Sequence, residues 1–187
     1  MDAFSTPARL GVLLNRTFTP DEGAWIEALL EDASAYLRGV IGQNVYPVTT
    51  STYTDWPTSG RLDLPQFPVV SIGSVKRNDV IIPHTYRPGY ILVDCDEAVS
   101  VTYTWGYADA PEELARLANV LVSQALITVE NGVGLTAGGL SSLALDDFKV
   151  AWADAGASSG MTISDTLAAS LRRQFGKGDT AVAETGW

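Results

Sequence analysis

Ala98–Val129 reads AVSVTYTWGYADAPEELARLANVLVSQALITV, a strand, a turn and a helix in unbroken succession. Val99, Val101, Tyr103 and Trp105 alternate with Ser100, Thr102 and Thr104, the period-2 pattern of a strand with one buried face. Gly106 ends the strand, and Asp109 and Ala110 lead to Pro111. Proline suits the first helical position, because its missing N–H would be unpaired there anyway. Glu112 and Glu113 follow in the first turn, at the positive end of the helix dipole. Leu114, Leu117, Ala118, Leu121, Ala125 and Val129 line one face at helical spacing. None of these side chains carries reactive chemistry, so the stretch is architecture.

Upstream, two helices are expected. Thr6 can cap a short one starting at Pro7, with Leu10, Leu13 and Leu14 as its apolar stripe and Gly11 weakening it. Thr19-Pro20-Asp21-Glu22 is a capping box: the threonine hydroxyl accepts an amide of the first turn while Glu22 reaches back to the cap amide. Ile26, Leu29, Leu30, Ala33, Leu37, Val40 and Ile41 then recur at three and four, with Gly42 as the stop. The two helices read as an antiparallel pair joined by Arg16–Thr19.

Between Asn44 and Trp105 the character changes. Prolines punctuate segments rich in Val, Ile, Thr and Tyr, and strands are expected at Thr50–Trp56, Arg61–Leu64, Val69–Arg77, Val80–Ile82, Thr85–Arg87, Tyr90–Val93 and Val99–Trp105. Arg77-Asn78-Asp79 and Pro88-Gly89 have the chemistry of hairpin turns. Downstream of the long helix, Asn131–Gly139 is a glycine-rich loop. Leu143, Leu145, Phe148, Val150 and Trp152 suggest a strand or extended arm, interrupted at Asp146-Asp147. A last helix is capped by Thr162 or Ser164, repeats through Ile163, Leu167, Leu171 and Phe175, carries Arg172 and Arg173 in its final turn, and stops at Gly176.

Bulk properties narrow the function. The 46% hydrophobic and 18% charged composition is that of a folded globular chain. A formal net charge of −10 excludes wrapping DNA by phosphate neutralisation, which needs clustered Lys and Arg. The one cysteine, Cys95, rules out an internal disulfide. The chain shows neither a basic-plus-apolar leader nor an apolar run of about 18 residues, so a soluble protein not exported by that route is expected.

Candidate chemistry is sparse. His84 is the only histidine, and no Ser, Thr or Cys sits in a nucleophile motif; an exposed strand residue after Pro83 is the simpler reading. Cys95 lies in Asp94-Cys95-Asp96-Glu97, where carboxylates would weaken a thiol nucleophile. That stretch lacks the spacing of a calcium loop and reads as an acidic hairpin tip. Gly132–Gly139 has neither a dinucleotide fingerprint nor a Gly-Lys-Ser/Thr ending, and reads as a connector. Catalytic residues, cofactors and metals are therefore all expected to be none. Of the five tryptophans, Trp25, Trp105 and Trp152 fall in periodic segments and are expected to pack internally, and Trp56 closes a strand before Pro57. Trp187 ends a small, polar tail that offers it no core, so it reads as either an idle exposed residue or, the reading preferred here, an anchor for a partner's pocket.

The order of these signals resembles the head-to-tail connector (adaptor) proteins of long-tailed double-stranded DNA phages. Thr19–Glu22 through Ala28–Ser34 to Ile41-Gly42 resembles that family's early helix. Leu64-Pro65-Gln66-Phe67-Pro68-Val69-Val70-Ser71-Ile72 resembles its strand entry, and Val101–Tyr107 followed by Ala110-Pro111 its strand-to-helix junction. The likeness runs from about Thr6 to Phe175, in order; where the family carries a histidine before the junction glycine, this chain has Trp105. The resemblance implies a non-enzymatic structural role. Such proteins form a ring, commonly of twelve subunits, beneath the portal protein at the capsid's unique vertex. They extend the DNA channel towards a downstream stopper or tail-completion protein, and DNA passes without specific binding. It implies a virion neck protein made in the bacterial cytoplasm, with no membrane partner. An acidic lining that does not grip passing DNA fits that role.

The resulting expectation is an α+β fold: a helical hairpin and core helix with an inserted antiparallel β-meander and an extended C-terminal arm ending in a helix. One domain over residues 1–176 is expected, with the insertion at about 44–105, the arm and last helix at about 132–176, and a tail at 177–187. Arg172, Arg173, Phe175 and Trp187 are the expected portal contacts. The rivals are a stopper or tail-completion protein, a ligand-binding β module with a pocket in Asn44–Trp105, and, third, an enzyme based on His84.

Overall fold

The computed structural model describes residues 2–130, 142–145, 148–151 and 163–176. Its helices are α1 (Pro7–Leu13), α2 (Pro20–Ile41), α3 (Glu112–Glu130) and α4 (Asp165–Phe175). Its strands are β1 (Thr49–Asp55), β2 (Arg61–Asp63), β3 (Val69–Arg77), β4 (Val80–Ile81), β5 (Thr85–Arg87), β6 (Tyr90–Leu92), β7 (Val99–Trp105), β8 (Ser142–Leu145) and β9 (Phe148–Ala151). The fold is α+β with antiparallel sheets and a β-meander, as the sequence pattern predicts. The chain divides into two compact units, Met1–Val40 with Ala108–Ala169, and Ile41–Tyr107 with Ser170–Trp187. The glycine-rich stretch at 131–139, Trp152 and the tail 177–187 lie outside the described residues.

In the helical unit, the capping box of α2 forms as its residue types require. The Thr19 amide donates to Glu22 Oε2 at 2.9 Å and the Glu22 amide to Thr19 Oγ1 at 3.3 Å. Those amide and hydroxyl donors, with Arg16 beside them, hold the Glu22 carboxyl below its usual range. Ile26, Leu30, Ala33 and Leu37 are buried along one face, while Leu29 and Val40 are half-buried at its margin. Trp25, expected to pack internally, is 41% exposed. It precedes Ile26 by one residue and therefore points about 100° away from the buried stripe. The N-terminal segment runs back along α2: the Phe4 amide donates to Ser34 Oγ at 2.9 Å, and the Arg38 guanidinium lies 4.5 Å from the Phe4 ring centre.

The stripe expected on α1 is also corrected. Leu10 is buried, but Leu13 is 61% and Leu14 39% exposed. The helix is only seven residues long, because the chain folds back on it at once: the Arg16 amide donates to the Gly11 carbonyl at 2.9 Å. A Cβ on Gly11 would stand 2.7 Å from the Arg16 carbonyl oxygen, so glycine here permits the close return rather than merely weakening the helix. Helix α3 begins one residue after Pro111, whose carbonyl accepts the Ala115 amide at 2.9 Å. Leu114, Ala115, Leu117, Ala118, Leu121, Val122 and Leu126 are buried. Exposed Arg9 of α1 meets Glu112 in the first turn of α3 at 2.9 Å. Strands β8 and β9 pair in register from Ser142↔Ala151 to Leu145↔Phe148, and the interruption expected at Asp146-Asp147 lies outside the described residues.

In the β unit, one sheet has the order β1-β7-β3-β4 and the other β2-β6-β5. Consecutive pairs close through two-residue turns. Asn78 and Asp79 both have positive φ, 48° and 64°, as a twisted hairpin demands, and Gly89, at +90°, supplies the one positive φ of the Pro88-Gly89 turn. The strand β7 alternates buried and half-buried along all seven residues. Leu62, Val75, Ile91, Val99, Val101, Tyr103 and Trp105 form one core fed by both sheets. At the end of β7, Gly106 takes φ +102°, its amide donates to the Pro68 carbonyl at 2.8 Å, and the Tyr107 amide donates to the Val45 carbonyl at 2.8 Å. A Cβ there would stand 2.9 Å from the Pro47 carbonyl oxygen.

Two glycines should therefore respond oppositely to alanine. Gly106→Ala forces a strained φ against a backbone wall and should cost about 2–4 kcal/mol. Gly23→Ala in α2, where an added methyl meets nothing within 4 Å, should gain about 0.5–1 kcal/mol. Urea unfolding with unchanged m-values measures both.

Candidate partner-contact surface

Three of the residues expected to meet a partner, Arg172, Arg173 and Phe175, lie at the end of α4. Ser164 caps this helix: its Oγ accepts the Leu167 amide at 3.3 Å and its carbonyl the Ala168 amide at 2.9 Å. Asp165 occupies the first turn, and Arg172 and Arg173 the last, each sign where the helix dipole favours it. Leu171 is fully buried and Ala168 is 7% exposed, so the apolar stripe faces inward and both arginines face solvent.

Phe175 does not belong with them. It is 7% exposed, and its ring meets Tyr107 edge-on, with centroids 6.4 Å apart and planes at 77°. Its carbonyl accepts from Gln43 Nε2, while Gln43 Oε1 accepts the Phe67 amide at 2.9 Å. A side chain held this way anchors the helix end in its own unit and is not offered to a partner. The four-residue repeat that led to Phe175 is the repeat of the buried face, which is the reason for the correction. The helix then closes at Gly176, whose amide donates to the Arg172 carbonyl at 2.9 Å. A Cβ on Gly176 would fall 2.3 Å from that oxygen. Trp187 lies outside the described residues. Of the four predicted contacts, the structure brings Arg172 and Arg173 together on one exposed turn.

The other sequence candidates fall on strand ends and turns. His84 is exposed, with Nδ1 3.4 Å from the Ile82 carbonyl. In the acidic stretch, Glu97 accepts from Asn78 Nδ2 at 3.1 Å and lies 3.8 Å from Arg77, so it braces the neighbouring hairpin. Cys95 is half-buried against the core. Among the described residues, no three His, Cys, Asp or Glu side chains gather as a metal-binding group. Tyr53 donates to Asp55 Oδ2; that bond and partial burial push the phenol up to about 12, and together with the Trp56 amide it holds the Asp55 carboxyl low.

Apolar exposure marks surface that the sequence reading did not single out. Val80 and Ile81, at the tip of the β3–β4 hairpin, are 66% and 70% exposed. In the other unit, Val12 is 81% exposed beside a cleft of about 640 Å³ lined by Pro7, Gly11, Asn15, Arg16 and Phe18. Both were findable: Val12-Leu13-Leu14 is an unbroken apolar run at a helix end, and a two-residue strand after a tight turn has no second face to hide. No protein-family model matches the chain, and no curated protein matches it.

Phe175→Ala should cost about 3–5 kcal/mol of stability by losing a buried ring, whereas Arg173→Ala should stay within about 0.5 kcal/mol. Denaturant unfolding of the two variants separates the structural residue from the exposed one. A second expectation concerns Tyr53. Its folded value lies above its ordinary value of 10.0, so the contribution is fully present below pH 10 and fades as pH rises through about 12. The tyrosinate absorbance lost in Tyr53→Phe should titrate near 12, and Asp55→Ala should move it back towards 10.

Proposed function

We propose that the chain is a non-enzymatic adaptor of a phage neck, which assembles as a ring beneath the portal protein, extends the DNA channel, and hands it to a stopper or tail-completion protein. The observation that carries this reading is the ordered likeness of three segments to the adaptor family: the capped helix from Thr19, the strand entry at Leu64–Ile72, and the junction Val101–Pro111. Each is a local device whose residue types suit many folds. Their succession along one chain at these spacings is what favours this family.

Two physical points support it. A net charge of −10 suits a channel wall past which DNA must slide without being held. The cationic pair Arg172 and Arg173 sits on an exposed helix end, a suitable rim contact for an acidic patch on a portal. The tail Lys177–Trp187, beginning just beyond that turn, would carry Trp187 into a pocket of the same partner.

Mixing the purified chain with its cognate portal should yield a ring on the portal by electron microscopy, with a matching mass by light scattering. A chain that ignores the portal at every concentration tried would overturn the adaptor reading. Deleting Lys177–Trp187, or replacing Arg172 and Arg173 by Glu, should weaken portal binding at least about tenfold, the effect of losing roughly 1.4 kcal/mol. Unchanged binding in both would remove the C-terminal turn and tail from the contact.

A further inference from the structure

Among the described residues, the β unit has one long sheet edge that no further strand pairs. Of the strands that end its two sheets, β4 has two residues, β2 and β5 three each, and β1 seven. Strand edges present unpaired N–H and C=O groups, and proteins usually blunt them with Lys, Pro or a bulge. None of these devices interrupts β1, which reads Thr-Thr-Ser-Thr-Tyr-Thr-Asp and carries neither Lys nor Pro. Its register against β7 runs from Thr49↔Trp105 to Asp55↔Val99 without a break, whereas β3, on the other side of β7, slips twice. Among the described residues, no backbone group of Thr49–Asp55 has a backbone partner outside the β1–β7 ladder.

The same strand carries a row of hydroxyls. Thr50, Thr52 and Thr54 are exposed and bond across to Thr104, Thr102 and Ser100 at 2.8, 2.9 and 2.7 Å. The sequence of β1 is also nearly symmetric about Thr52. Turned end for end, Thr50 falls opposite Thr54, Ser51 opposite Tyr53, and Thr52 opposite itself. Only Asp55 carries a charge, and it falls opposite Thr49 rather than opposite a second carboxylate. In a chain of net charge −10, where most surfaces of two copies repel, this edge lets two copies meet without like charges facing one another.

We propose that two copies of this chain pair β1 with β1, antiparallel about a two-fold axis at Thr52, so that the four-stranded sheet continues as eight strands through both. The cross-strand Thr–Thr contacts repeat those that β1 already makes with β7. The contact closes after two copies, so it is a state of the free chain and not the head-to-tail contact that builds a ring. It stands apart from the adaptor reading and is tested without a portal.

In a Cys95→Ala background, light scattering of the whole chain should show the mass rising with concentration from 19.9 kDa towards twice that value. Thr52→Lys places two cations across the axis on an exposed position, and should hold the mass at one chain with an unchanged circular dichroism spectrum. Thr52→Cys should cross-link to a covalent dimer on mild oxidation, since directly opposed Cα atoms stand about 4.5–5.5 Å apart. Thr54→Cys should not, because its symmetry mate lies about 14 Å away. A single-chain mass throughout, an unchanged doubled mass in Thr52→Lys, or equal cross-linking at 52 and 54 would each overturn the pairing.

Discussion

The alternation of β7 is the constraint on which the β unit depends. Val99, Val101, Tyr103 and Trp105 turn every apolar side chain of the strand to one side, and the core gathers on that side from both sheets. Because the side-chain period is two, a slip of one residue would expose all four and bury Ser100, Thr102 and Thr104 instead. The register with β1 is thereby fixed, and the polar face is locked by direct hydroxyl pairs across the strands. On the core side, Trp105 donates its indole N–H to Ser51 at 2.9 Å, and the Tyr103 hydroxyl bonds Gln66. Each large ring thus buries its carbon surface while its one polar atom remains paired.

Gly106 makes that strand useful to the rest of the chain. The backbone leaves β7 between Val45, Pro47 and Pro68, through a gap with no room for a side chain. From there Pro111 and the paired glutamates start α3 within a few residues. The same economy recurs at Gly11 and Gly176, where a carbonyl oxygen stands 2.7 Å and 2.3 Å from where a Cβ would be. At these positions glycine is required by a neighbour's position rather than by flexibility, so each fixes a direction of travel.

The elements were largely legible because their signals are local. The capping box at Thr19, the seven-residue alternation of β7, the Asn78-Asp79 turn and the arginines closing α4 each declare themselves within a few residues. What was not legible depends on partners distant in sequence. Nothing near Thr49 says that β1 will lie against β7, some fifty residues on, rather than against β2. The same limit explains the individual corrections. Periodicity shows that Phe175 shares a face with Leu171, but whether that face meets its own chain or another depends on Tyr107 and Gln43. Trp25 is apolar and helical, yet one position off the stripe is enough to leave it in solvent.

That distinction also explains why the candidate site is harder to read than the fold. A catalytic or metal site concentrates reactive groups whose identities are visible in the sequence, whereas a contact surface is made of residues that a fold leaves over. Arg172 and Arg173 are exposed because Leu171 and Phe175 are buried; Ile81 is exposed because β4 is too short to be covered; Thr52 faces outward because Val101 and Tyr103 face inward. Each candidate contact is the complement of a packing decision made elsewhere. The open edge of β1 belongs to the same logic. Once β7 has taken β1 on one side and β3 on the other, β1 has a single strand partner among the described residues, and its second row of backbone groups is open to a further partner.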